Sequence, residues 1–162
     1  MTTWVVDTSP PIFLAKLGHL DLLGRSGDTV CVPQAVMDEI RAKPDEAAQA
    51  IGQASHTWLS VRRVGNRNSV EMLLADLDLG EAEAIALAKE IDPDKVVMDD
   101  LDARRFARRV GLDLVGTMGL LLAAHLREEI PSVREEIEQL QALGFRTAPH
   151  LVRAILKAVG VR

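Results

Sequence analysis

The chain has 162 residues, 48% hydrophobic and 27% charged, which suits one ordinary domain with a buried core and excludes a disordered segment. Its one cysteine excludes an internal disulfide and a cysteine-rich zinc site, and no apolar run reaches the roughly 18 residues of a bilayer span. A net charge of −5 argues against strong nonspecific binding to DNA, yet it suits an acidic site whose bound cations supply local positive charge.

Met1-Thr2-Thr3-Trp4 lacks the basic stretch of a secretory leader, so a cytoplasmic address is expected. Trp4-Val5-Val6 reads as a strand ending at Asp7, and a helix is predicted after the proline pair, with Ile12, Phe13, Leu14 and Leu17 inward. Thr29 to Val32 is a second strand. Pro33 then suits the first turn of a helix that buries Val36, Met37 and Ile40. Residues 45–56 read as helix, Trp58 to Val64 as strand, and Gly65-Asn66-Arg67-Asn68-Ser69 as loop. The helix from Gly80 has high intrinsic propensity and acids in its first turn, where they complement the dipole. Val96-Val97-Met98 is a buried strand ending at Asp99-Asp100, followed by helix 101–110. Leu114-Val115 is the last strand, followed by helices near 118–127, 132–143 and 148–159.

Strands alternating with helices predict a parallel sheet covered on both faces. Sites in such sheets form beyond the carboxyl ends of the strands, where strand order reverses. Two strands here end in acids, at Asp7 and at Asp99-Asp100. Carboxylates emerging side by side repel each other unless a cation sits among them, and hard oxygen ligands select Mg²⁺ or Mn²⁺. The plainer reading of each aspartate is a helix N-cap.

Val5-Val6-Asp7-Thr8-Ser9-Pro10, Val32 to Ile40, Leu79-Gly80-Glu81-Ala82-Glu83 to Ala88, Val97-Met98-Asp99-Asp100 with Arg104, and Val115-Gly116-Thr117 with Gly119 together resemble the PIN domain. More narrowly, they resemble a prokaryotic PIN-like subfamily related to toxin endoribonucleases of toxin–antitoxin systems. The resemblance spans nearly the whole chain in order. It implies a three-layer α/β/α fold in one domain over 1–162, with extra C-terminal helices from about 128. It also implies a Mg²⁺- or Mn²⁺-dependent endoribonuclease, with RNA as substrate and an antitoxin protein as partner.

Carried over by position, the resemblance makes Asp7, Glu39, Glu81 and Asp100 the metal-binding and catalytic set. Ser9 (or Thr8) is a supporting hydroxyl, as is Thr117, and Asp99 and Arg104 flank the acids. Asp38 is the neighbour of Glu39 and points elsewhere on its helix. Glu83 is the alternative to Glu81, but the two lie roughly 200° apart around a helix and cannot easily address one ion. Counting back from Ala88 favours Glu81.

Arg104, Arg105, Arg108 and Arg109 form a basic helical run, either a solvated face or phosphate contacts. Arg62, Arg63 and Arg67 sit near a loop, either as solvated surface charges or as contacts to RNA. His19, His56, His125 and His150 have no ligand spacing and read as structural; nothing suggests a Ser-His-Asp arrangement, and Gly24-x-x-Gly27 is too short for a phosphate loop. Without tyrosine and with 3% aromatics, base-stacking platforms are scarce. The tail stripe of Ile137, Leu140, Leu143, Leu151, Ile155 and Leu156 is core or the interface of a homodimer. Two other functions compete: a PIN-like binding module without catalysis, motivated by glutamate at the third acidic position, and a phosphoacceptor signalling domain, which also gathers acids and a threonine at strand ends.

Overall fold

The computed structural model describes residues 1–160, which form two compact units, Met1–Gly116 and a second beginning at Thr117. The first carries β1 (Thr3–Val6), α1 (Ser9–Lys16), α2 (Asp21–Gly24), β2 (Thr29–Pro33), α3 (Gln34–Arg41), α4 (Glu46–Ala54) and β3 (Leu59–Arg62). It continues through α5 (Arg67–Leu73), α6 (Leu79–Ile91), β4 (Lys95–Val97), α7 (Leu101–Arg109) and β5 (Leu114–Val115). The second carries α8 (Thr117–Leu126), α9 (Val133–Ala142) and α10 (Pro149–Ala158).

All five strands are parallel, in the order β3-β2-β1-β4-β5, and helices flank them in the expected α/β/α arrangement. The chain builds outward from β1 through β2 to β3, then returns to the other side of β1 for β4 and β5. Strand order therefore reverses between β1 and β4. Val6 pairs with Val97 there, and the Asp7 N–H donates to the Val97 carbonyl at 2.9 Å, so Asp7 leaves the sheet beside the start of Met98-Asp99-Asp100. Strands buried on both faces need apolar runs, and Val5, Val6, Val30, Cys31, Val32, Val96 and Val97 are each at most 2% exposed. Above them, α6 buries Ala82, Ala84, Ile85, Ala86, Leu87 and Ala88 against β1, β2 and α3, small residues letting it lie close. It stops at Asp92, whose φ of 49° is left-handed, before Pro93.

Four local readings change. The first helix begins at Ser9 and takes Pro10 and Pro11 into its first turn, where no N–H is needed; both prolines and Leu14 are buried, while Ile12 and Phe13 are half-buried. Pro33 ends β2 and caps α3 from outside with an extended backbone. Residues 67–69 are the start of α5, the Asn66 side chain accepting from the Ser69 N–H at 3.1 Å. The short α2 had no periodic signal to announce it.

In the second unit, α9 packs on α8 and on α10. Ile137, Leu140 and Ile155 are buried, whereas Leu143 and Leu151 of the predicted stripe are exposed. His125 is structural as expected: its Nδ1 accepts from the Val133 N–H at 3.1 Å. Among the described residues no helix is long and apolar enough to cross a membrane.

Candidate active site

Asp7 is the buried member of the site, 6% exposed at the strand-order reversal. Burial pushes its carboxyl up to about 7. The Thr8 N–H opposes that rise, and the charges of Glu81, Asp78 and Glu39 add to it. The charges of three acids at the starts and ends of two helices thus bear on one strand end.

Each neighbour is fixed by a bond of its own. On α3, Glu39 Oε2 accepts from the Thr8 hydroxyl, so the residue after Asp7 positions the second acid. Gly80 in the first turn of α6 permits this pair to approach: a Cβ there would stand 3.1 Å from Glu39 Oε2, 3.4 Å from Thr8 Oγ1 and 3.6 Å from Asp78 Oδ1. Asp78 caps α6, accepting from the Glu81 N–H at 2.8 Å, while Glu81 Oε1 accepts from the Asp78 N–H at 3.1 Å. That reciprocal capping box aims Glu81 back at the helix start. Desolvation and the charges of Asp78, Asp100 and Glu39 raise the Glu81 carboxyl, against the pull of the Asp78 N–H. Glu81 is thereby the electrostatic link between Asp7 and Asp100.

Asp100 caps α7, its Oδ2 accepting from the Ala103 N–H at 3.0 Å, so the N-cap reading and the site reading describe the same residue. Its neighbour Asp99 accepts from the Ser9 hydroxyl at 3.2 Å, tying the exit of β4 to the start of α1. Arg104 donates to the Met98 carbonyl at 2.7 Å; burial and the Arg108 charge lower the pKa of its guanidinium, and Asp99 partly opposes them. Gly116 makes room for both: a Cβ would lie 3.0 Å from Arg104 Nη1 and 3.0 Å from Asp99 Oδ1. Thr117, buried, opens the second unit.

Glu83 is placed elsewhere, at the other end of α3. It is 4% exposed, with Oε1 accepting from the Ala35 N–H at 2.9 Å and Oε2 from Arg67 at 2.7 Å. It caps α3 across the core instead of joining the acids. Asp38 is likewise taken up on its own helix face, accepting from Gln34 at 2.8 Å. The acid that sequence reasoning passed over is Asp78, and the Asp-x-x-Glu spacing from Asp78 to Glu81 is the signal that marks it.

Asp7, Glu39, Asp78, Glu81 and Asp100 offer only hard oxygens, the donor chemistry that suits Mg²⁺ or Mn²⁺. Among the described residues no three His, Cys, Asp or Glu side chains are already drawn together to hold an ion. One oxygen each of Glu39, Asp78, Glu81 and Asp100 is held by a protein donor.

A family model described as a PIN domain matches residues 3–161. No curated protein matches the chain. Among solved structures it is similar to the PIN domain endonuclease Utp24, with 12% identity, a TM-score of 0.53, and 70% of this chain and 84% of that chain covered. It is also similar to a PilT N-terminus domain protein from the hyperthermophilic archaeon Sulfolobus solfataricus P2, with 18% identity, a TM-score of 0.55, and 75% and 92% of the two chains covered. At such identities the likeness is one of fold.

Proposed function

The chain belongs to the PIN-domain family, a nuclease fold family, and from that premise we propose that it is a metal-dependent endoribonuclease that hydrolyses RNA phosphodiester bonds. The observation that supports this most is Asp7: a carboxyl buried where strand order reverses and raised to about 7, with Glu39, Asp78 and Glu81 charged against it. A purely structural carboxylate at that depth is ordinarily given a cation partner from the protein. This one is given three more acids.

Asp7, Glu39, Glu81 and Asp100 would hold Mg²⁺ or Mn²⁺, which supplies an acidified water and charge stabilisation at the phosphoryl group. The chain itself fixes the ligands. Thr8 holds Glu39, the capping box holds Glu81, and the α7 N-terminus holds Asp100. Ser9, Asp99 and Arg104 brace the β4 exit from which Asp100 emerges. Glu39 or Glu81 would order a water as general base.

Purified protein with Mn²⁺ or Mg²⁺ and a mixed RNA pool tests the reading. Cleavage by the parent, lost in a folded Asp7→Asn variant, is the expected result. Equal cleavage by both rejects the site, and binding without cleavage returns the inactive-module reading. The toxin role, with an antitoxin protein as partner, belongs to the same proposal through the family; growth arrest on induction of the parent, but not of Asp7→Asn, is its check.

A further inference from the structure

The carboxyl edge of the sheet carries a cavity of about 440 Å³ lined by Gln34, Arg63, Val64, Arg67 and Glu83. Topology puts it there: Arg63 and Val64 follow β3 directly, Gln34 opens α3 after β2, and Arg67 opens α5. Glu83 is the buried member of the lining. Both Glu83 oxygens are engaged, by Ala35 and by Arg67, so the buried carboxylate anchors one edge of the Arg67 guanidinium. The rest of Arg67 remains open, its side chain 56% exposed. Arg63 is exposed, and among the described residues it has no hydrogen bond or ion pair. Two guanidinium groups against one engaged carboxylate leave the lining net positive, and planar N–H forks match the oxygens of a phosphodiester.

The cavity spans the ends of β2 and β3, one to two strands from Asp7 in the order β3-β2-β1, which amounts to about 5–10 Å. An extended polyanion crossing this edge would meet both places. We infer that the cavity is a subsite for a backbone phosphate of single-stranded RNA, a short step along the strand from the bond held at the acids, with Arg63 and Arg67 as its contacts. This rests on the nuclease reading for the identity of the strand. The arginines of α7 are poor rivals. Arg108 and Arg109 lie in the last turn of a helix that starts at Asp100 and runs away from this edge, so they sit about 12 Å from its start. Arg105 is paired with Asp102 at 3.4 Å, and Arg104 is bound to the Met98 carbonyl.

The test titrates a fluorescein-labelled single-stranded RNA oligonucleotide with Asp7→Asn protein in EDTA at several salt concentrations, so that no cleavage is needed for the readout. Adding Arg63→Gln is expected to weaken binding roughly tenfold and to lower the slope of log affinity against log salt by about one. Adding Arg108→Gln with Arg109→Gln instead is expected to change affinity by about twofold or less. The inference is overturned if Arg63→Gln binds like its parent, if the α7 pair loses as much, if the Asp7→Asn parent binds no RNA, or if single-stranded DNA of the same sequence is preferred. Failure of the nuclease reading would show as absent cleavage in the separate activity assay while the Arg63→Gln loss persisted.

Discussion

Asp7→Asn separates the electrostatic cost of the site from its chemistry. In the folded chain the Asp7 carboxyl is raised from 3.8 to about 7, so between those values the folded protein keeps a proton that the unfolded chain has released. Stability must therefore fall as pH rises through that window, the reverse of the usual carboxylate, and above it the cost is about 4 kcal/mol. Asparagine resembles the protonated acid in shape and never ionises. In EDTA, urea unfolding should find the variant about 1 kcal/mol more stable than the parent at pH 4.5 and about 4 kcal/mol more stable at pH 8.5, with similar m-values. Glu81 is raised in the same direction, so the variant keeps a weaker slope of its own. Mg²⁺ should then recover stability in the parent at pH 8.5, because it binds the folded state alone, and do little for the variant. A gap between variant and parent that is the same at both pH values would refute the reasoning, since it would mean that ionised Asp7 is not under strain.

The two glutamates of α6 should behave oppositely. Glu81→Gln should abolish cleavage with stability at pH 8 unchanged or raised, while Glu83→Gln should cost about 1–3 kcal/mol in urea and keep most of the activity, because Glu83 is tied to Ala35 and Arg67. At Asp78, the asparagine variant keeps the cap and removes a charge, whereas alanine removes both. Asp78→Ala should lose about 1 kcal/mol of stability, Asp78→Asn little, and Mn²⁺ titration of each reads the part played by the charge. Gly116→Ala places a methyl against Arg104 and Asp99; a loss of about 1–3 kcal/mol and a lowered cleavage rate are expected, measured by urea unfolding and by single-turnover assay.

What the sequence shows most readily is what is local. Asp7 and Asp100 are each the residue at which an apolar strand gives way to a helix, and that junction can be read within ten residues. The two-residue β5 matches its reading for the same reason, bounded by Gly111 and Gly116. Residues 65–69 misled because asparagine and serine serve turns and helix caps by the same side-chain hydrogen bond; Asn66 is a cap. Pro10 and Pro11 misled in the opposite sense, since a helix breaker is harmless where the backbone N–H would be unsatisfied anyway. The fate of Glu83 depended on Ala35, 48 residues away, and on Arg67, and no periodicity reports a pairing across the fold. Nor does any local pattern give β1 the centre of the sheet, the placement that sets Asp7 between its neighbours.

Glu81 and Glu83 ride on one continuous helix of thirteen residues, turned roughly 200° from each other. The offset between their two surroundings is therefore set by the girth of α6 rather than by any connecting segment. Changes of length outside α6 leave that offset untouched. A lineage of such chains is free to vary its periphery widely while the ruler at its centre keeps one calibration.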